Sequence, residues 1–138
     1  MSTTTDDPDE LHALAALAME HAFRSIQPRG PLWPFAFVEH EDGIKLIRAV
    51  GDRLEDMLAH TKRLVLEGPS PARAVLAWDG YSSHTGRRMD TIFVDAFEGG
   101  SNGGILIAQP YRSMGLVRKR NEPVGEPGIV ERGRPPLF

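Results

Sequence analysis

Four side chains that could carry acid–base or cation chemistry lie within one short stretch of the chain: Asp79, Tyr81, His84 and Asp90. Two carboxylates held close together repel each other, which raises the pKa of one of them toward the range useful for proton transfer. Carboxylate oxygens are also ligands of divalent cations. These four residues are therefore the candidate catalytic residues, provided that the backbone brings Asp90 beside Asp79.

The backbone around these residues reads as two strands joined by a tight turn, since β-branched and aromatic residues fill both runs and Gly86 lies between them. A turn centred on residues 85–86 places Tyr81 opposite Asp90, and directly opposed residues point to the same face of a sheet. Asp79 shares that face with Tyr81 because side chains alternate along a strand. The sequence predicts one polar patch of two carboxylates and a phenol.

The same pattern is also typical of a plain solvent-facing strand surface. Polar residues that alternate with apolar ones are expected on the open face of a half-covered sheet. Arg87 and Arg88 follow the turn and could neutralise the acids as surface ion pairs. Both interpretations stay open from the sequence alone.

A third acid, Asp95, has the opposite parity and falls with Phe93 and Phe97 on an apolar face of the same strand. A buried carboxylate needs a partner. We therefore expect Asp95 to be either a structural hydrogen-bond hub or a pocket residue.

Large aromatic side chains stand where irregular chain enters the first strand. Trp33 and Phe35 are predicted to pack between the first helix and the sheet, with a dimer contact or the lip of a small-molecule pocket as alternatives. Trp78 is the third aromatic candidate for an interface or pocket.

Several signatures of known chemistry are missing from the sequence. There is no cysteine, no phosphate-binding loop, no nucleophile elbow and no closely spaced pair of histidines on a helix. The glycine-rich stretch 99–104 lies between two predicted strands, whereas a phosphate loop leads into a helix N-terminus. We predict no metal site and no cofactor.

The periodicity of apolar residues and the positions of Gly and Pro predict two helices and five strands. Asp52 and Glu55 have the spacing of a capping box before the second helix, and Gly68 is expected to end it. The predicted elements are a helix over 8–26, strands over 35–40 and 44–50, a helix from about 53 to 67, and strands over 73–81, 89–98 and 104–111.

This order, αββαβββ, predicts a single α+β domain over residues 1–112, with a five-stranded, mainly antiparallel sheet and two helices packed on one face. Residues 113–138 contain Pro, Gly and Arg without sustained periodicity, and are predicted to be an irregular tail. The first hairpin could join the sheet in two ways. Either strand one lies beside strand five, or strand two lies beside strand three as a parallel pair.

The composition indicates a soluble protein with no unusual partner. The chain has 138 residues, 41% of them hydrophobic, and a net charge of −3. The polar, acidic start and the absence of a long apolar run predict a cytoplasmic location without a membrane segment. The basic residues 118–120 read as solvated tail, so no nucleic-acid partner is expected. An excess of Arg over Lys favours a bacterial source with GC-rich codons.

Taken together, these patterns favour a non-catalytic module that binds a protein partner or itself. Strands three to five carry apolar residues at both parities, which predicts cover on both faces of the sheet. Because the two helices are expected to cover only one face, the second face is expected to be covered by another copy, which favours a homodimer, or by the tail. Two alternatives remain. One is a metal-dependent hydrolase or other enzyme that uses the acids of strands three and four. The other is a small-ligand binder with an aromatic pocket near Trp33 and Trp78.

Overall fold

The computed structural model describes residues 8–27, 31–84, 86–100, 103–115, 120–134 and 137–138. Their elements, in chain order, are α1 (Pro8–Ser25), β1 (Phe35–His40), β2 (Gly43–Ile47), α2 (Leu54–Glu67), β3 (Arg73–His84), β4 (Arg87–Glu98), β5 (Gly104–Met114), β6 (Arg120–Pro123) and β7 (Gly128–Arg134). The strands form one seven-stranded sheet in the order β2-β1-β3-β4-β5-β6, with β7 also paired to β5. The α+β class and the antiparallel pairing are as predicted. The predicted count of five strands is wrong.

The first helix has the bounds that its periodicity predicts, to within one residue. Its apolar residues recur every three or four positions and face the sheet, so that Leu14, Ala18 and Ala22 are almost fully buried. This helix packs on β3 and β4, and less closely on β1. Neither helix in the described residues is long and apolar enough to cross a membrane.

The second helix begins differently from the prediction. Arg53 occupies the N-cap position and its side chain makes no capping hydrogen bond. The predicted capping box at Asp52 and Glu55 therefore does not form. The helix does end at Gly68, whose N–H donates to the carbonyl of Leu64.

The two helices lie on opposite faces of the sheet, which corrects the prediction that both pack on one face. Side chains of β1 alternate between two cores. Phe35 and Phe37 join α1 in the first core, whereas Ala36 and Val38 join Val65 of α2 in the second. The sheet is thus covered on both sides within one chain over the region of β1 and β3.

The first hairpin joins the sheet in neither of the two predicted ways. Strand β1 lies beside β3 in an antiparallel pair in which Phe37 faces Val75. The segment from β2 through α2 forms the connection, so β2 becomes an edge strand of the sheet.

The predicted irregular tail contains two strands. Both β6 and β7 pair antiparallel with β5, one after the other along its length. The side-chain amide of Gln109 donates to the carbonyls of Val124 and Gly125, between the two strands. The sequence pattern missed β7 because its side chains are exposed on both faces, so that apolar and polar residues need not alternate.

The sheet splits beyond Pro110. The β4–β5 pairing ends where Thr91 faces Pro110, while the β3–β4 pairing continues to His84 and Arg87. Proline has no N–H to donate to a ladder. We call the cleft between residues 87–90 of β4 and residues 111–113 of β5 the fork.

Candidate functional site

The predicted patch of two carboxylates and a phenol is present on the α1 side of the sheet. Tyr81 faces Asp90 in the β3–β4 register, and Asp79 is two residues before Tyr81 on the same face. These residues line a cavity of about 320 Å³, which we call the carboxylate pocket. Its other lining residues are Pro31, Leu54, Gly80, Tyr111 and Asn121.

Asp79 is held by two groups that the sequence analysis did not find. The Leu32 N–H donates to Asp79 Oδ2 at 2.9 Å. The Tyr111 hydroxyl lies 2.9 Å from both carboxylate oxygens and donates to them. The carboxylate of Asp79 therefore ties the α1–β1 linker and β5 to β3.

The electrostatics of this pair favour a protonated tyrosine. Burial raises the pKa of Tyr111, and its hydrogen bond to Asp79 raises it further. Burial also raises the pKa of Asp79, and the charge of Asp90 adds to that, against the lowering effect of the hydrogen bonds from Leu32 and Tyr111. Asp79 is thus a carboxylate whose charged form is disfavoured by its surroundings.

The walls of the pocket are anchored by the end of α1. Asn121 of β6 donates its side-chain amide to the carbonyl of Ile26, and its backbone N–H donates to the side chain of Gln27. The Tyr111 ring packs edge-on against Phe23, with 5.9 Å between ring centroids. The tail strand that the sequence analysis left irregular therefore supplies one wall of the site.

The fork adjoins the carboxylate pocket, but its lining is rich in arginine, whereas that of the carboxylate pocket is acidic. It holds a cavity of about 730 Å³ that shares Asp90 and Tyr111 with the carboxylate pocket. The other residues around this cavity are Arg87, Arg88, Met89, Arg112, Ser113 and Val124. The guanidinium of Arg88 lies 4.0 Å above the centre of the Tyr81 ring. Instead of cancelling the acids in a tight ion pair, Arg88 stacks on the phenol.

The aromatic candidates have three different positions. Trp33 is 58% exposed and lines an apolar cavity of about 520 Å³, the Trp33 pocket, which shares Pro31 and Leu54 with the carboxylate pocket. Phe35 is a fully buried core residue. Trp78 faces Phe93 as predicted, and the two rings stack with 5.6 Å between their centroids. This pair lies on the face of the sheet opposite the carboxylate pocket.

Two further candidates are placed as follows. Of the two roles predicted for Asp95, the structure shows the hydrogen-bond hub, since both of its oxygens accept hydrogen bonds from Arg134 of β7 at 3.0 and 2.8 Å. The backbone of His84 pairs with Arg87, but the side chain of His84 lies outside the described part of the structure.

Within the described residues, no group of three His, Asp or Glu side chains is arranged to hold a metal ion. Asp79 and Asp90 are the two acids that line the carboxylate pocket. The hydrolase alternative stays a prediction that rests on these two side chains.

Comparison with protein-family models, with curated proteins and with solved structures gives no match for this chain. Its class is therefore defined by its own architecture, a single antiparallel sheet with one helix on each face.

Replacement of Asp79 by Asn tests whether this carboxylate is kept for stability. The folded pKa of Asp79 lies above its unfolded value, so its stabilising contribution is present below about pH 4 and is lost as the pH rises through the folded pKa. We expect Asp79→Asn to leave the free energy of unfolding at pH 7.5 unchanged or up to about 1 kcal/mol higher, since the amide oxygen still accepts from Leu32 and Tyr111.

The measurement is urea unfolding at pH 4 and pH 7.5, with Asp42→Asn, at an exposed position in the turn between β1 and β2, as the matched control. We expect Asp79→Asn to raise the free energy of unfolding more at pH 7.5 than at pH 4, because Asp79 is charged at the higher pH. A loss of more than about 2 kcal/mol at pH 7.5 would show that the charge itself holds the structure together.

Proposed function

We propose that this protein is a non-catalytic interaction module that binds an extended segment of a partner protein in the fork. The observation that carries the proposal is the end of the β4–β5 pairing at Pro110, which leaves an edge of β4 beside a cavity of about 730 Å³. A strand edge that is not paired accepts an extended peptide through main-chain hydrogen bonds, and neighbouring pockets then select its side chains.

The arrangement of the cavities supports an elongated partner. Shared lining residues connect the Trp33 pocket to the carboxylate pocket, and the carboxylate pocket to the fork. The three sections differ in chemistry, being apolar, acidic and arginine-rich in turn. An extended chain, which advances about 3.3 Å per residue, could place different side chains in each section.

The contacts of Asp79 support a positioning role over an enzymatic one. Its two oxygens already accept hydrogen bonds from Leu32 and Tyr111. These hydrogen bonds fix the orientation of the carboxylate and tie three segments of the chain together, as expected of a positioning residue. The small-ligand alternative keeps the Trp33 pocket, but Trp78 is not among the residues that line it.

Self-association stays a prediction, now with a different basis. The argument from an uncovered sheet face is weakened because α2 and the C-terminal residues Leu137 and Phe138 pack on that face. The apolar side chains of Ile44 and Leu46 on the edge strand β2 are about half exposed, at 46% and 47%, and are the surface that a second copy would cover. Light scattering of the purified chain decides between monomer and dimer.

We also propose a bacterial source and a cytoplasmic location. The absence of cysteine is compatible with a reducing compartment, and the excess of Arg over Lys supports GC-rich codons.

Display of a random linear-peptide library against the immobilised chain tests the interaction function. We expect enriched peptides rich in strand-forming residues, whose binding is weakened at least tenfold by Arg88→Glu in the fork. Arg63→Glu, on the exposed surface of α2, is the matched control and should leave binding unchanged. Failure to enrich any peptide, or enriched peptides that bind Arg88→Glu as well as the original chain, would contradict the proposal.

A further inference from the structure

We propose that the fork selects a partner strand carrying a basic and an acidic side chain two residues apart, in the order Lys-x-Glu. This inference rests on the proposed function and names the chemistry of the partner. The strand would pair antiparallel with residues 87–90 of β4.

The backbone of β4 is suited to this addition. Its residues 87–90 pair with β3 on one side, and the β4–β5 pairing in the described residues does not extend to them on the other. In an antiparallel ladder every second residue directs its N–H and C=O to the same neighbour. Two of these four residues therefore direct their backbone groups into the fork.

The side chains of Arg88 and Asp90 supply the charge pattern. Both are exposed, and they lie on the same face because they are two positions apart. A partner residue directly opposite Arg88 should be acidic, and the one opposite Asp90 should be basic, since opposite charges across a strand pair attract.

The arginine is also held in place before the partner arrives. Stacking on the Tyr81 ring restrains the guanidinium of Arg88, so that less side-chain freedom is lost on binding. Planar guanidinium groups bind carboxylates through paired hydrogen bonds. Arg87 and Arg112 also line the cavity and favour an acidic segment in general.

The strand direction determines the order of the two charges. All strand pairs in the described sheet are antiparallel, and antiparallel pairing is slightly more stable per residue than parallel pairing. A partner that runs antiparallel to β4 meets Asp90 first and Arg88 second. Its sequence therefore reads basic, any residue, acidic.

Fluorescence anisotropy with three labelled nonapeptides tests the inference on the full chain. The peptides are acetylated, amidated and built on the same Thr- and Val-rich background, with Lys-x-Glu, Glu-x-Lys or Gln-x-Gln at the centre. We expect Lys-x-Glu to bind about tenfold more tightly than Glu-x-Lys, because two attractive pairs replace two repulsive ones.

Exchange of the two charges in the protein gives the decisive control. The double variant Arg88→Glu with Asp90→Lys should prefer Glu-x-Lys, while Arg63→Glu should keep the original preference. Circular dichroism melting checks that both variants fold.

The outcomes separate the inference from the function on which it rests. If all three peptides bind equally and Arg88→Glu weakens the binding of each, the charge pattern is overturned but the interaction function stands. No binding of any peptide at 1 mM would overturn both. Tight binding of free lysine or glutamate at the fork would replace the partner strand with a small-molecule ligand.

Discussion

Replacement of Arg73 by Met should destabilise the protein by about 4 kcal/mol, enough to unfold a marginally stable domain. The side chain of Arg73 is almost completely buried at the start of β3. Its guanidinium forms ion pairs with Glu10 of α1, with Glu39 of β1 at 3.4 Å and with Glu98 of β4 at 3.0 Å. It therefore joins a helix and two strands at one point.

The expected loss comes mainly from the carboxylate that remains. Glu98 is 6% exposed, and a buried carboxylate deprived of its cation is strongly destabilising. The measurement is urea unfolding of Arg73→Met, with Arg63→Met on the exposed face of α2 as the control. The double variant Arg73→Met with Glu98→Gln should recover part of the loss. A change of less than about 1 kcal/mol in Arg73→Met would contradict this account.

Ending the chain after Gly115 should abolish the cooperative thermal transition. The truncation removes β6 and β7, which pair along β5, together with the Arg134 partner of Asp95. Asp95 is only 2% exposed, so its charge would be left in the second core without compensation. The sequence predicts that the domain ends at residue 112. Loss of the transition would show that the domain extends beyond that residue.

The point variant Arg134→Met isolates the ionic part of the effect. We expect this variant to fold, with a free energy of unfolding lowered by about 2–4 kcal/mol. The loss should be smaller than that caused by breaking a fully buried ion pair, because Arg134 is 28% exposed. Adding Asp95→Asn should restore part of that loss. A truncated chain that melts cooperatively near the temperature of the full chain would show that residues 116–138 are dispensable.

The sequence predicted the local part of the site well. A turn over two residues determines the β3–β4 register, and alternation then places Asp79, Tyr81 and Asp90 together. The partners of Asp79 could not be predicted in this way. Tyr111 lies 32 residues after Asp79 in the chain, and Leu32 lies 47 residues before Asp79. Their contacts with Asp79 therefore depend on tertiary packing.

The sequence analysis also misplaced one helix, although a signal was present. Phe35, Ala36, Phe37 and Val38 are apolar at both parities of β1, a pattern of a strand covered on both faces. The same pattern in strands three to five predicts cover of the second face by another copy or by the tail. A helix on each face explains the pattern of β1 within one chain.

The order of strands in the sheet has a consequence for how the chain folds. Strands β3, β4 and β5 are neighbours both in sequence and in space, so their contacts close short loops. Strand β1 can pair with β3 only after the long connection through β2 and α2 has closed, which carries a larger entropy cost. The meander that holds the fork therefore has the local contacts of a folding nucleus. We expect the N-terminal hairpin to pair with this meander in a later step of folding.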